Sequence, residues 1–244
     1  MCITCGCHPN ENIDSATKTQ TKTKTISLEE KILQKNDQLA KKNRDFFLNN
    51  TLITLNLLSS PGSGKTTLLE KTLHTLLATQ HCYVIEGDQH TDQDAIRIRA
   101  TGANVVQINT GKGCHLDAHH ILHGIEELSF NSEGGYLFIE NVGNLVCPAS
   151  FDLGEEKKVV ILSVTEGDDK PIKYPDMFHA ADLMIINKID LLPYVDFDIA
   201  TCINHAHRIN PSLKVIELSA TTSIGMEKWH LYLQQLKLNK FKLS

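Results

Sequence analysis

Between Ser59 and Leu69 the chain reads SSPGSGKTTLL, directly after the apolar run Leu52 to Leu58. Gly62 and Gly64 allow backbone conformations that a residue with a Cβ resists, so successive N–H groups can turn inward around phosphate oxygens. Lys65 offers a point charge for the β- and γ-phosphates and Thr66 a hydroxyl for Mg2+, with Pro61, Ser63 and Thr67 completing the cradle. A helix starting here would aim its positive end at the same anion. The P-loop pattern calls for Gly six residues before Lys65, and Ser59 stands there. Much later, Asn187-Lys188-Ile189-Asp190 presents a carboxylate that can accept both the ring N–H and the exocyclic amine of guanine, a donor pair adenine lacks. Asn187 is expected to contact the base, the Lys188 stem to lie along its face, and Ser219-Ala220 to form a small supporting turn.

Two acidic segments could complete a Mg2+ site with Thr66: Glu86-Gly87-Asp88 and Glu140-Asn141-Val142-Gly143. Asp88 is the candidate catalytic base, Glu140 stands where many GTPases carry the Asp of DxxG, and Gly143 would let the backbone approach the γ-phosphate. Soft ligands form two further groups. The opening MCITCGCHP crowds Cys2, Cys5 and Cys7 together with nothing to pack against, a chelating pattern for Ni2+, Cu+ or Zn2+. With an α-amino or backbone nitrogen these thiolates would make a planar N,S set that favours Ni2+, although residue types alone leave the metal open. Cys114-His115 sits in a glycine turn, and Cys147 follows the Glu140 loop by a few residues, so metal and nucleotide states could be coupled through one loop. His115, His119 and His123 are four apart, which a helix would place on one face beside His120. A solvated helix face is expected there rather than a second metal array. Cys82 and Cys202 read as core or surface thiols.

The elements that must position these groups are short apolar strands separated by helices. Strands are expected at Leu52–Leu58, Cys82–Glu86, Asn104–Ile108, Tyr136–Glu140, Val159–Val164, Leu183–Asn187 and Lys214–Leu218, with helices after Lys65, Asp92, His115, Asp196 and Gly225. That rhythm predicts an α/β fold: a mainly parallel central sheet with helices on both faces, whose ligands sit beyond the carboxyl ends of the strands. The candidate residues fall at those ends. Ahead of the first strand, Ser27 opens a capping box with Glu30, and Leu28, Ile32, Leu39, Phe46 and Phe47 mark a helical stripe. The polar TKTQTKTKT run reads as a tether. The expected organisation is a Cys-rich motif at 1–9, a flexible linker at 10–26 and a nucleotide-binding domain with a leading helix at 27–244.

Composition narrows the class. The chain has 244 residues, 41% hydrophobic and 22% charged, as in an ordinary soluble protein with a buried core. A formal net charge of -5 argues against nucleic acid as a partner. No apolar run approaches the ~18 residues of a membrane span, and the polar, Cys-rich start predicts no secretory leader. Seven cysteines without such a leader fit reduced thiols and a cytoplasmic location.

Taken together, CITCGC, SSPGSGKTTLL, EGDQHTDQDAIRI, GKGCHLDA, ENVGNLVCP, TEGDDKPIKYP and NKIDLLPY resemble the HypB family, nickel-incorporation GTPases of hydrogenase maturation in the SIMIBI class of P-loop GTPases. The resemblance covers essentially the whole chain. It implies a slow GTP hydrolase using GTP and Mg2+, a nickel site at Cys2, Cys5 and Cys7, and a nickel or zinc (Ni2+ or Zn2+) site at Cys114, His115 and Cys147. It also implies a GTP- and metal-linked homodimer, and as partners a HypA-like nickel metallochaperone and the hydrogenase large subunit. Other readings are a nickel or zinc carrier whose G domain serves only dimerisation, and an accessory GTPase for urease. The urease accessory GTPase carries Cys-Pro-His where this chain has Cys114-His115 and lacks the cysteine-rich start. A long histidine-rich tract seen in some HypB members is missing, so bulk nickel storage is not expected.

Overall fold

The computed structural model describes residues 15–89 and 91–243, and the cysteines Cys2, Cys5 and Cys7 therefore lie outside the described residues. Two compact units are distinguished, Met1–Lys35 and Asn36–Ser244. The second unit holds a seven-stranded sheet made of β1 (Leu52–Ser59), β2 (Cys82–Asp88), β3 (Asn104–Asn109), β4 (Gly135–Glu140), β5 (Lys157–Ser163), β6 (Leu183–Asn187) and β7 (Lys214–Glu217). Their order is β3-β2-β4-β1-β5-β6-β7, and all six pairings are parallel. All seven expected strands are present, with ends shifted by a residue or two.

Every residue of β1 is buried, which is what a strand covered on both faces requires. Ile53, Leu55 and Leu57 face one layer with Leu68 and Leu73 of α2 (Lys65–Leu76) and Trp229 and Leu233 of α8 (Met226–Leu243). Trp229 Nε1 donates to Thr72 Oγ1 at 2.8 Å, so its buried N–H is satisfied. The opposite layer has two clusters. Val160, Leu162, Met184 and Ile186 pack with α6 (Pro175–Ala180) and α7 (Ile199–Ile209) through Phe178, Cys202 and Ala206. Leu52, Ile85, Leu137 and Ile139 pack with Ile121 and Ile125 of α4 (Ala118–Glu127) and with Phe47. Cys82 and Cys202 are core thiols, and burial pushes each up to about 12.

The leading helix corrects the sequence expectation twice. First, α1 (Ser15–Asn49) begins at Ser15 rather than at the Ser27 capping box, and takes in most of the stretch expected as a linker at 10–26. That stretch contains no Gly or Pro to stop a helix, and its Lys and Gln are good helix formers. Second, within the second unit the buried stripe of α1 is Asn36, Ala40, Asn43 and Phe47. Two asparagines take positions where an apolar side chain is the usual sign. Asn36 Oδ1 accepts from the Ala118 N–H at 2.9 Å while its Nδ2 donates to Asp152 O; Asn43 Nδ2 donates to Ala118 O and Leu153 O. From Asn36 onward this helix therefore packs on its own domain, against the start of α4 and the 152–153 loop. The short helices α5 (Lys170–Lys173) and α6 were not read from the sequence. Among the described residues no helix is long and apolar enough to cross a membrane.

Candidate functional site

The loop between β1 and α2 lies at the carboxyl end of the central strand. Gly62 and Gly64 have φ of +78° and +93°, the left-handed region open to glycine. A Cβ on Gly64 would also lie 2.5 Å from Asn187 Nδ2, so this position excludes side chains on two independent grounds. Ser59 is different. It is the last residue of β1, pairs with Ile161 in register, has no left-handed backbone, and donates its hydroxyl to Ser60 O at 2.8 Å. Nothing in its conformation demands glycine, which explains the departure from the P-loop pattern. A cavity of about 530 Å3 is lined by Ser59, Pro61 to Thr67, Asp88, Gln89, Asp94, Arg97, Val142, Gly143 and Lys188.

Within it, Thr66 Oγ1 donates to Glu140 Oε1 at 2.7 Å and Lys65 Nζ stands 3.6 Å from the same oxygen. Burial raises the Glu140 carboxyl above its ordinary value, while Lys65 and Thr66 pull the other way. Glu140 Oε2 is buried and has no hydrogen-bond partner. The hydroxyl and carboxylate expected on Mg2+ are thus adjacent, with an oxygen to spare, and this oxygen-rich donor set suits a hard cation. Glu86, opposite Glu140 in the β2–β4 register, is pushed up to about 8 by burial and then by the negative charges of Glu140, Asp88 and Asp94. Asp88 lines the cavity, yet its oxygens accept from the Gln89 N–H, the Thr91 N–H and the Thr91 hydroxyl. It organises its own turn, a role the sequence did not suggest for the candidate base.

At the base end Asn187 has a role that the sequence did not suggest. Asn187 is 1% exposed and spends its side chain on backbone: Nδ2 donates to Ser63 O at 2.8 Å, and Oδ1 accepts from Lys188 N at 2.8 Å and Ala220 N at 3.1 Å. It clamps the P-loop to the Ser219-Ala220 turn. Lys188, with φ +63°, turns its amine back onto Gly62 O at 2.7 Å. Asp190 Oδ1, by contrast, is buried without a partner. An orphaned acceptor costs about 1–3 kcal/mol, which a donor pair such as that of guanine would relieve. Ser219 and Ala220 are buried, and neither lines the phosphate cavity.

Several supporting residues escaped the sequence reading. Glu166 accepts from the Ser63 hydroxyl at 2.6 Å and pairs with Lys170 at 3.1 Å, while Lys170 donates to Ser60 Oγ at 3.0 Å. This pair braces the outer side of the P-loop. Their signal was the four-residue spacing in TEGDDK, which by itself reads as an ordinary helical ion pair. Arg97 on α3 (Gln93–Arg99) reaches Thr67, Glu70 and Asp94 at the cavity edge.

Beside this cavity the ligand atoms of Cys114, His115 and Cys147 all lie within 4.8 Å of one another, each residue half-buried. Burial and then Cys147 push the Cys114 thiol up to about 11, and burial lowers His115, favouring the neutral imidazole that binds metals. The two sites share their scaffolding. The chain leaves β4 at Glu140, and a Cβ on Gly143 would come within 3.0 Å of Pro61 in the P-loop. It then donates from Asn144 to Cys114 O at 3.2 Å before delivering Cys147 at the head of a single 3-10 turn, Cys147–Ser150. A second link is Gln89, which lines the nucleotide cavity and donates to Gly113 O at 3.0 Å. The four neighbouring histidines part company. Helix α4 starts only at Ala118, so His115 is not on it; His120 forms a capping box with Asp117, and His119 and His123 stay exposed.

The sequence profile of the CobW/HypB/UreG nucleotide-binding domain matches residues 53–217. The chain is 60% identical over 210 residues to the hydrogenase maturation factor HypB of Azotobacter chroococcum, covering 86% of this chain and 68% of that one. Among solved structures it is similar to the Archaeoglobus fulgidus hydrogenase maturation factor HypB, with a TM-score of 0.78 and 40% identity over 84% of this chain and 99% of that one. It is likewise similar to Helicobacter pylori HypB in complex with nickel, with a TM-score of 0.80 and 38% identity over 84% and 96%.

Proposed function

The chain belongs to the HypB family, and from that premise we propose that it is a GTP hydrolase whose nucleotide state controls the delivery of nickel during hydrogenase maturation. The observation that carries the reading is the continuous path from β4 to Cys147. One loop holds Glu140 against Thr66, rests Gly143 on Pro61, and brings Cys147 to Cys114 and His115. A phosphate that moves the P-loop side of this loop must also move a metal ligand.

In this reading Lys65 and the P-loop backbone hold the phosphates, and Asp190 selects guanine. Thr66 and Glu140, with Asp88, would hold Mg2+, which neutralises charge on the β- and γ-phosphates. Asn187, Glu166 and Lys170 keep the loop in place so that it binds without reorganising. Hydrolysis of GTP to GDP and phosphate then depends on positioning and charge neutralisation more than on covalent chemistry. The cargo, Ni2+ or Zn2+, occupies Cys114, His115 and Cys147, and a second nickel motif lies at Cys2, Cys5 and Cys7. Homodimerisation, handover from a HypA-like metallochaperone and transfer to a hydrogenase large subunit complete the proposal, at a cytoplasmic location.

The experiment is Ni2+ titration of the full chain loaded with GDP or with a non-hydrolysable GTP analogue, with oligomeric state followed by sedimentation. Coupling between two such sites is typically about 5–150-fold in affinity, and a Cys147→Ser chain should lose the difference. Equal metal affinity in both nucleotide states would remove the coupling. GTP turnover that survives Lys65→Ala would remove the hydrolase assignment.

A further inference from the structure

The exposed face of α4 carries a pair of imidazoles with the geometry of a metal chelate. His119 and His123 stand one helical turn apart, both exposed, with ring centroids 4.5 Å apart and Nε2 to Nε2 at 3.2 Å. Two nitrogens bound to one ion at about 2.1 Å are about 3.0 Å apart at a right angle and about 3.4 Å apart at the tetrahedral angle. The observed separation falls between those values. The nitrogens already stand at a chelate's separation, and rotation of the two rings about their side-chain bonds turns both electron pairs onto one ion.

A third residue sets the electronics. Glu126 Oε2 lies 3.3 Å from His123 Nδ1, one further turn along the same face. The carboxylate sits within ion-pair range of the Nδ1 side of the ring, which leaves Nε2 to face His119. Metal-ligating histidines are oriented by such carboxylates. His120, which might have competed, is turned away by its capping box with Asp117. The other three histidines of the region thereby have separate roles: His115 with the two thiols, His119 and His123 with each other.

We propose that His119 and His123, oriented by Glu126, form a second transition-metal site on this domain, an exposed two-imidazole chelate for a borderline divalent ion such as Ni2+ or Zn2+. Imidazole suits those ions, whereas a hard cation such as Mg2+ prefers oxygen. Binding through both Nε2 atoms places the remaining ring proton of each imidazole on Nδ1, and water fills the other positions on the ion. Two ligands on an open face make a weak, readily exchanged site, suited to an ion in passage. The site stands apart from the nucleotide reading and does not depend on the thiol triad.

The test is Ni2+ titration of the full chain by calorimetry, repeated with Zn2+ and with Mg2+. The wild-type chain should bind one more equivalent of Ni2+ and of Zn2+ than His119→Gln/His123→Gln, with no such difference for Mg2+. Glu126→Gln should weaken that equivalent, by up to about tenfold, without removing it. A Cys114→Ser/Cys147→Ser chain should retain it, so failure of the thiol site and failure of this one are separable. In 15N spectra of the side chains, the His119 and His123 Nε2 signals should shift at the same metal ratio. Equal stoichiometry in the wild-type and double-glutamine chains would overturn the proposal, as would loss of the equivalent only when the thiols are removed.

Discussion

Replacing Asn187 by alanine separates a clamp from a base contact. The side chain makes three hydrogen bonds to backbone: one to Ser63 O, one from Lys188 N and one from Ala220 N. Asn187→Ala strands all three partners. A buried group left without a partner costs about 1–3 kcal/mol. Lys188 is half-buried, and Ser63 lines the cavity, so water can reach part of what is lost. Taking the lower end for each gives a destabilisation of roughly 3 kcal/mol. For a domain of this size that is a fall in Tm of roughly 6–12 °C. The assay is urea or thermal unfolding of the nucleotide-free chain, alongside titration with a fluorescent guanine nucleotide. The variant should be less stable before any nucleotide is added, and its affinity should drop because Ser63 and Ala220 lose their common anchor. If the nucleotide-free chain unfolds within about 0.5 kcal/mol of wild type while nucleotide affinity collapses, the clamp is wrong and Asn187 acts on the base.

Asp190→Asn exchanges an acceptor pair for an acceptor and a donor, so affinity should move from guanosine toward xanthosine nucleotides; two charge-assisted bonds at about 1.5–3 kcal/mol each imply at least a hundredfold shift in their ratio, and an unchanged ratio by competition binding would refute it. Gln89→Ala removes the bond to Gly113 O that joins the nucleotide cavity to the metal turn, and should shrink the difference in metal affinity between GDP and GTP-analogue states, measured by the same titration; a full difference would leave the Gly143 contact as the sole route. Glu86, pushed up to about 8 from an ordinary 4.5, keeps its proton in the fold where the unfolded chain has lost it. Its contribution to stability is therefore complete below about pH 4.5 and declines as pH rises toward 8. Glu86→Gln should flatten that decline in unfolding free energy, whereas parallel profiles for the two chains would show that Glu86 is not the source.

The local sequence determined a good deal. Seven apolar runs set the strands because a strand buried on both faces must be apolar almost throughout, and Leu52 to Ser59 is so buried. SSPGSGKTT announced a phosphate loop because left-handed backbone at Gly62 and Gly64 is a property of those residues themselves. Cys114-His115 and Cys147 were legible as candidate ligands, and the fold brings their ligand atoms within 4.8 Å of one another. What only tertiary structure decided were the roles that depend on a distant partner. Asn187 reads only as a base contact until Ser63 and Ala220, remote in sequence, are seen to bond its side chain and make it a clamp as well. Asn36 and Asn43 look like a polar helix face until Ala118 and the 152–153 loop cover them and take hydrogen bonds from their amides. The histidines of 115–123 have one spacing in the sequence and three fates in the fold, because the helix starts at Ala118 and not before. Periodicity reports which face a residue shares; a side chain's hydrogen bonds and ion partners are set by which other element comes to lie against it, and that information is spread over the whole chain.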